Sequence, residues 1–199
     1  ASDVYKRQEY YLPAGSSYRV TPFELAKGFR LVGSSDGVKP KVILDDWWKI
    51  AEGSYITSLE FENIEFQHAS NNKYFMNADK SFTLESVSFV NCDFIGLTRG
   101  FWRHQQATGK HIMNFEVEGC RFDKCGWQTG SYGLVDLRSF NDPTSYDQID
   151  KAVFRNCTFS RDNDGTAGFG WGNLFYAPYV DKPIQLEFKN ITIYNYSLN

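Results

Sequence analysis

The chain has 199 residues, 24 acidic and 21 basic side chains for a net charge of −3, and 17% aromatic residues. That length suits one domain with a substantial core. Interspersed charge without a basic run or an RNA-binding motif excludes a general nucleic-acid binder, and no apolar run is long enough to span a bilayer.

The opening Asp3-Val-Tyr-Lys-Arg-Gln8 reads as the translation of a DNA-library adapter. Residues 1–8 are therefore expected to be an artefact or disordered, ahead of a domain over 9–199 that is truncated at one or both ends. Pro22 to Lys27 allows one helical turn, and elsewhere no stretch sustains a period of about 3.6 residues. From residue 29 one phrase recurs, an apolar strand, then Asn or Gly, then a second apolar strand. The copies are Phe29–Gly33, Leu59–Phe66, Val87–Phe94, Phe115–Phe122, Ala152–Phe159 and Leu186–Ile193. Their pivots stand at 33, 63, 91, 119, 156 and 190, in steps of 30, 28, 28, 37 and 34 residues.

Within a copy, apolar and polar residues alternate, as in a strand with one buried face. Phe61, Phe89, Val117, Phe154 and Phe188 fall two residues before the pivot, and Ile64, Cys92, Cys120, Cys157 and Ile191 fall just after it. One inward set can occupy both places only if the chain turns a corner at the pivot. Asn and Gly tolerate the left-handed backbone that such a corner needs, and stacked Asn amides can bond along the axis. A unit that cannot bury its own apolar face predicts coils stacked as a solenoid. A third strand is read at Val42–Leu44, Tyr74–Met76, Phe101–Arg103, Leu134–Leu137 and Leu174–Tyr176, after loops that absorb the differences in repeat length. The expected fold is all-β, a right-handed, single-stranded parallel β-helix of six coils with three strands each and an Asn/Gly ladder at the tight turn.

With that ladder, and with Tyr11–Tyr18, Gly28–Gly33 and Lys39–Leu44 as its first coils, the chain resembles the pectin-lyase-like superfamily over roughly residues 9 to 199. It is most similar to β-helix domains of surface lipoproteins in gut bacterial glycan-utilisation systems. The resemblance implies a secreted or cell-surface module, here expected to bind an acidic, pectin-like polysaccharide without obvious catalytic machinery. Alternatives are a polysaccharide lyase or glycoside hydrolase of the same superfamily, or a structural spacer or adhesin.

Strand alternation puts Asp136 and Arg138 outward if Val135 and Leu137 point in. Arg103 then projects from the preceding coil and Tyr176 from the following one, with His104 beside them and Asn77 and Asp45 in earlier coils. Coils about 4.8 Å apart would join these into one polar strip. In the resembled enzymes that face holds substrate, acids there bind calcium, and an Arg or Lys removes the proton α to a uronate carboxylate. Carried over, Arg138 is the candidate base with Asp136 beside it, and Arg103 binds a carboxylate. The acids in reach, Asp136, Asp79 and Asp45, form no tight cluster, so no cofactor is expected unless the chain is a lyase, which would need calcium. Nor do Asp162 and Asp164 make a recognisable hydrolase pair. For binding, Trp48, Trp127, Trp171 and Tyr179 rim the strip as stacking platforms for sugar. The plainer alternatives are exposed ion pairs and loop aromatics that pack against the barrel.

Cys92, Cys120 and Cys157 share one repeat position and are expected as a buried column of free thiols, with Cys125 in a loop; their spacing fits no zinc site. Sequons begin at Asn156, Asn190 and Asn195, but the first two use ladder positions expected to be buried. Gly168–Gly172 lacks the spacing of a phosphate loop, and Ser139–Asp150 is long enough for a lid or partner site. The oligomeric state is left open.

Overall fold

The computed structural model describes residues 7–70, 73–105, 109–126, 133–137, 147–160, 174–177 and 182–194. The fold is all-β: among the described residues there is no helix, and every strand pairing is parallel. Accordingly, among the described residues no helix is long and apolar enough to cross a membrane.

One sheet runs β1 (Gln8–Leu12), β4 (Phe29–Gly33), β7 (Ser54–Glu62), β10 (Phe82–Val90), β13 (Lys110–Glu118), β16 (Gln148–Arg155) and β19 (Gln185–Lys189) in that spatial order. A second runs β2 (Ser17–Val20), β5 (Lys41–Leu44), β8 (Glu65–His68), β11 (Asp93–Ile95), β14 (Arg121–Asp123), β17 (Thr158–Ser160) and β20 (Thr192–Tyr194). The third holds β9 (Tyr74–Ala78), β12 (Gly100–His104), β15 (Val135–Asp136) and β18 (Phe175–Tyr176). A two-stranded sheet pairs β3 (Glu24–Leu25) with β6 (Lys49–Ile50). Gln8, the last residue of the adapter-like segment, opens β1 opposite Phe29, whereas residues 1–6 lie outside the described ones.

The register stacks like on like. Phe61, Phe89, Val117, Phe154 and Phe188 are successive partners in the first sheet. Phe66, Phe94, Phe122, Phe159 and Ile193 are successive partners in the second. Near-parallel rings follow, Phe61 on Phe89 at 5.1 Å and 7°, and Phe94 on Phe122 at 4.9 Å and 15°. Phe75 and Phe101 of the third sheet meet these columns edge-on, so all three sheets close on one aromatic core.

The corners carry the expected backbone: Asn63, Asn91, Gly119, Asn156 and Asn190 have φ of 55°, 50°, 62°, 54° and 53°. Gly33 differs, since its φ is not positive. It is glycine because a Cβ there would lie 2.1 Å from the carbonyl oxygen of Asn63. The amides do form a ladder, Asn91 Nδ2 donating to Asn63 Oδ1 at 2.6 Å and Asn190 Nδ2 to Asn156 Oδ1 at 2.9 Å. Gly119 interrupts it, and Asn156 donates instead to Glu118 Oε1 at 2.5 Å. Only part of the ladder is shielded. Asn63 is 9% exposed, but the sequon residues Asn156 and Asn190 are exposed. Asn195 lies outside the described residues.

Cys92, Cys120 and Cys157 are piled in single file as expected, all buried and free. Their thiols donate to the carbonyls of Phe61, Phe89 and Val117, one circuit earlier in each case. Cys125 is buried too, its thiol 3.2 Å from the Phe94 carbonyl, so it belongs to the core and not to a loop surface.

Two strands differ from expectation. Val42–Leu44 joins the second sheet, pairing with Phe66–His68, because Ser34–Pro40 is inserted between the Gly33 corner and its following strand. The third-sheet place in that circuit is taken by Trp48, which bridges Met76. Pro22–Lys27 contains β3 and no helical turn, since pairing with Lys49–Ile50 satisfies its backbone better than one isolated turn would.

Candidate functional site

The third sheet brings together the file that alternation implied. Asn77 partners Arg103, Arg103 partners Asp136, and Asp136 partners Tyr176. The file is covered, however. Asn77, Arg103, His104 and Asp136 are 4%, 2%, 0% and 0% exposed, and Tyr176 is half-buried. Outward from a sheet means away from the inter-sheet core, which is not the same as into water. The Arg103 guanidinium lies over the Tyr74 ring, 5.4 Å from its centroid, and Nη1 donates to Tyr74 Oη at 3.3 Å. Gly100 makes room for that ring, since a Cβ there would sit 2.8 Å from Tyr74 Cε1.

Trp48 is a correction of the same kind. It is 2% exposed and packs on Phe23, Phe29 and Phe61, so its ring is part of the core and not an exposed stacking platform. Arg138, Trp127, Trp171 and Tyr179, with Asp162, Asp164 and Gly168–Gly172, lie outside the described residues, as does most of Ser139–Asp150. Asp45 sits one corner away from the file, paired with Arg19 Nε at 2.6 Å, and Asp79 lies 3.8 Å from Lys49 Nζ. These carboxylates do not converge, and among the described residues no group of three His, Cys, Asp or Glu side chains is placed to hold a metal ion. Among the described residues the donor set does not fit calcium.

Beside the file stands a cluster that composition did not announce. Asp147 Oδ2 lies 3.5 Å from both Lys110 Nζ and His104 Nδ1, and all three side chains are fully buried. Asp147 Oδ1 also accepts the Lys110 backbone N–H at 3.2 Å. Burial pushes the His104 imidazole and the Lys110 ammonium down from their ordinary values, with Asp147 opposing in part. Burial works the other way on Asp147, yet His104 and Lys110 together hold its carboxyl below the usual range. The ring is therefore neutral at neutral pH beside a matched cation and anion. A signal did exist in the repeat, because Lys110 occupies the column of Phe82 and Ser54, where a cation inside the barrel requires a buried acid.

Two concavities open to solvent near the first circuits. One, about 280 Å³, is apolar, walled by Tyr10, Tyr18, Phe23, Phe29, Val42 and Trp48. The other is an open groove of about 520 Å³ at the Gly33–Asn63 corner, lined by Tyr11, Arg30, Ser34, Ser35, Glu62 and Asn63 among others. Tyr11 is 66% exposed, with the Arg30 guanidinium 5.9 Å from its ring centroid. Arg30 reaches it because β1 and β4 pair Tyr11 with Val32, leaving the long Arg30 side chain beside the ring. Neither concavity contains a residue of the expected strip other than Trp48. Compared with protein-family models, with curated proteins and with solved structures, the chain matches none.

Proposed function

We propose that this chain is a right-handed parallel β-helix module, acting outside the cell or at its surface, that binds a polysaccharide and does no chemistry on it. The observation that carries the reading is the groove at the Gly33–Asn63 corner, where an exposed aromatic ring stands among hydroxyl, carboxylate and guanidinium groups. Tyrosine rings pack against the apolar face of a sugar, while the polar groups beside them satisfy its hydroxyls. The stacked parallel sheets support the β-helix part of the proposal, since successive circuits add parallel strands in register to two seven-stranded sheets and a four-stranded one.

A lyase reading draws less support. Its carboxylate-binding Arg103 is shielded, Asp136 is shielded with it, and among the described residues the acids do not gather for a cation. Affinity electrophoresis through gels containing plant and animal polysaccharides tests the proposal, paired with an ultraviolet assay for unsaturated uronates. Retardation without product release is expected, lost on Tyr11→Ala. Released unsaturated sugar would overturn the non-catalytic reading, and no retardation in any gel would favour a spacer.

A further inference from the structure

We infer that the groove beside Tyr11 takes a neutral polysaccharide and discriminates against uronate-rich ones. This rests on the polysaccharide reading above and departs from the acidic ligand that the sequence suggested. The cation of the groove is already spent on protein groups. Arg30 Nε lies 3.2 Å from Glu60 Oε2, Nη2 lies 3.3 Å from Glu62 Oε2, and Nη1 donates to Tyr11 Oη at 3.2 Å. Glu60 also pairs with Arg7 Nη1 at 2.5 Å, and Arg7 pairs in turn with Glu9. Among the described residues, three carboxylates (Glu9, Glu60 and Glu62) thus face two guanidinium groups (Arg7 and Arg30) along this corner, leaving one negative charge in excess.

A uronate carboxylate arriving here must displace one of these pairs. It would leave Glu60 or Glu62 without its cation and would approach a rim of like charge, which costs affinity. A sugar hydroxyl meets the opposite situation. Glu62, 38% exposed in its side chain, keeps acceptor capacity for an O–H donor, a charge-assisted bond stronger than a neutral one. Ser35 is exposed on the same wall, and its hydroxyl can donate or accept. The Asn63 amide is committed to the ladder, accepting from Asn91, so it shapes the groove floor without reading the ligand. With an aromatic platform, a carboxylate acceptor and a hydroxyl, the groove suits uncharged pyranose rings.

The test uses gels containing neutral polymers (xyloglucan, galactomannan, mixed-linkage β-glucan) and acidic ones (polygalacturonate, alginate, hyaluronate), at low and high sodium chloride. Retardation in at least one neutral polymer is expected, insensitive to salt because no ion pair forms with the ligand. Tyr11→Ala should weaken it about tenfold, roughly one aromatic contact's worth. Tyr11→Phe, which keeps the ring, should bind like the parent. Glu62→Gln separates the two ligand classes by sign, weakening a neutral ligand several-fold through the lost charge-assisted acceptor and strengthening an acidic one. Retardation confined to acidic gels, salt-sensitive and lost on Tyr11→Ala, would overturn this inference while leaving the polysaccharide reading standing. Retardation untouched by Tyr11→Ala would remove the groove from the account, and retardation in no gel would overturn both.

Discussion

Lys110 Nζ and Asp147 Oδ2 lie 3.5 Å apart with both side chains fully buried, so a cation and an anion are held together away from water. Such a pair is costly to assemble and costlier to break, because the survivor of a single substitution is a buried charge without its counter-ion. Lys110→Met and Asp147→Leu should each destabilise the fold by about 3–5 kcal/mol. The double substitution should cost less than their sum by a coupling energy of about 1–3 kcal/mol. Urea unfolding of the four proteins measures this, and additive losses would mean that the two charges are independently solvated.

His104 makes the same cluster sensitive to acid. Burial keeps its imidazole below the ordinary value, against the pull of Asp147 and Asp136 and with help from Lys110, while the Phe82 ring stands edge-on to it. Between that lowered value and the unfolded value of about 6.5, the unfolded chain holds a proton that the folded chain lacks. Folding stability therefore falls as pH drops below about 6.5, with a slope of up to about 1.4 kcal/mol per pH unit. Asp147, also held low, adds its own loss only at more acid pH, as its carboxyl finally takes a proton. Burial also pushes the Lys110 ammonium down, against the pull of Asp147, Asp79 and Glu52. Urea midpoints at about pH 7, 6 and 5 should decline for the parent and less steeply for His104→Gln, because His68, also lowered by burial, keeps its own share of the slope; equal slopes would place the titration elsewhere.

How far the residues announced all this depends on which physical rule each one obeys. The stacked file of Cys92, Cys120 and Cys157 followed from alternation broken by a corner, a local rule that the backbone φ values at the Asn and Gly pivots bear out. Val42–Leu44 was misplaced because alternation cannot say which of three sheets a strand joins once Ser34–Pro40 intervenes. Alternation puts Arg103 and Asp136 in the right file but cannot show that they are buried, since it is blind to what lies over a sheet's outer face. Trp48 misled through its chemistry, a Trp beside Trp47 in a loop-like stretch, although burial of large rings is the commoner fate. The groove residues Tyr11 and Arg30 carried no motif at all and become neighbours only through the pairing of β1 with β4.

The break in the Asn ladder offers a gain of stability. Gly119 already has φ 62°, and a Cβ built on it would meet nothing closer than Asn91 N at 3.9 Å. Gly119→Asn would place an amide between Asn91 and Asn156 and reduce the freedom of the unfolded chain. Asn is among the side chains that tolerate this backbone region, whereas a β-branched residue is not. Gly119→Asn should raise stability by about 0.4–1 kcal/mol, and Gly119→Val should lower it by about 1–2 kcal/mol. Thermal melts of the two variants decide the matter, and an Asn variant no better than Gly would show that the ladder contributes little.

The thiol file should be chemically silent until the chain unfolds. Burial pushes the Cys125 and Cys157 thiols up to about 12 and lifts Cys120 well above its usual value, the last also raised by its contact with Cys92. Only the thiolate attacks a disulfide reagent, so at about pH 8 an acid constant near 12 slows the reaction on the order of a thousandfold, before any barrier to access. Ellman's reagent should therefore find almost no fast thiol in the native protein and all four cysteines in guanidinium. Fast native labelling that mass spectrometry maps to Cys92, Cys120 or Cys157 would mean that the column is open to solvent. In that event the corner stacking that positions the Tyr11 groove would lose its support.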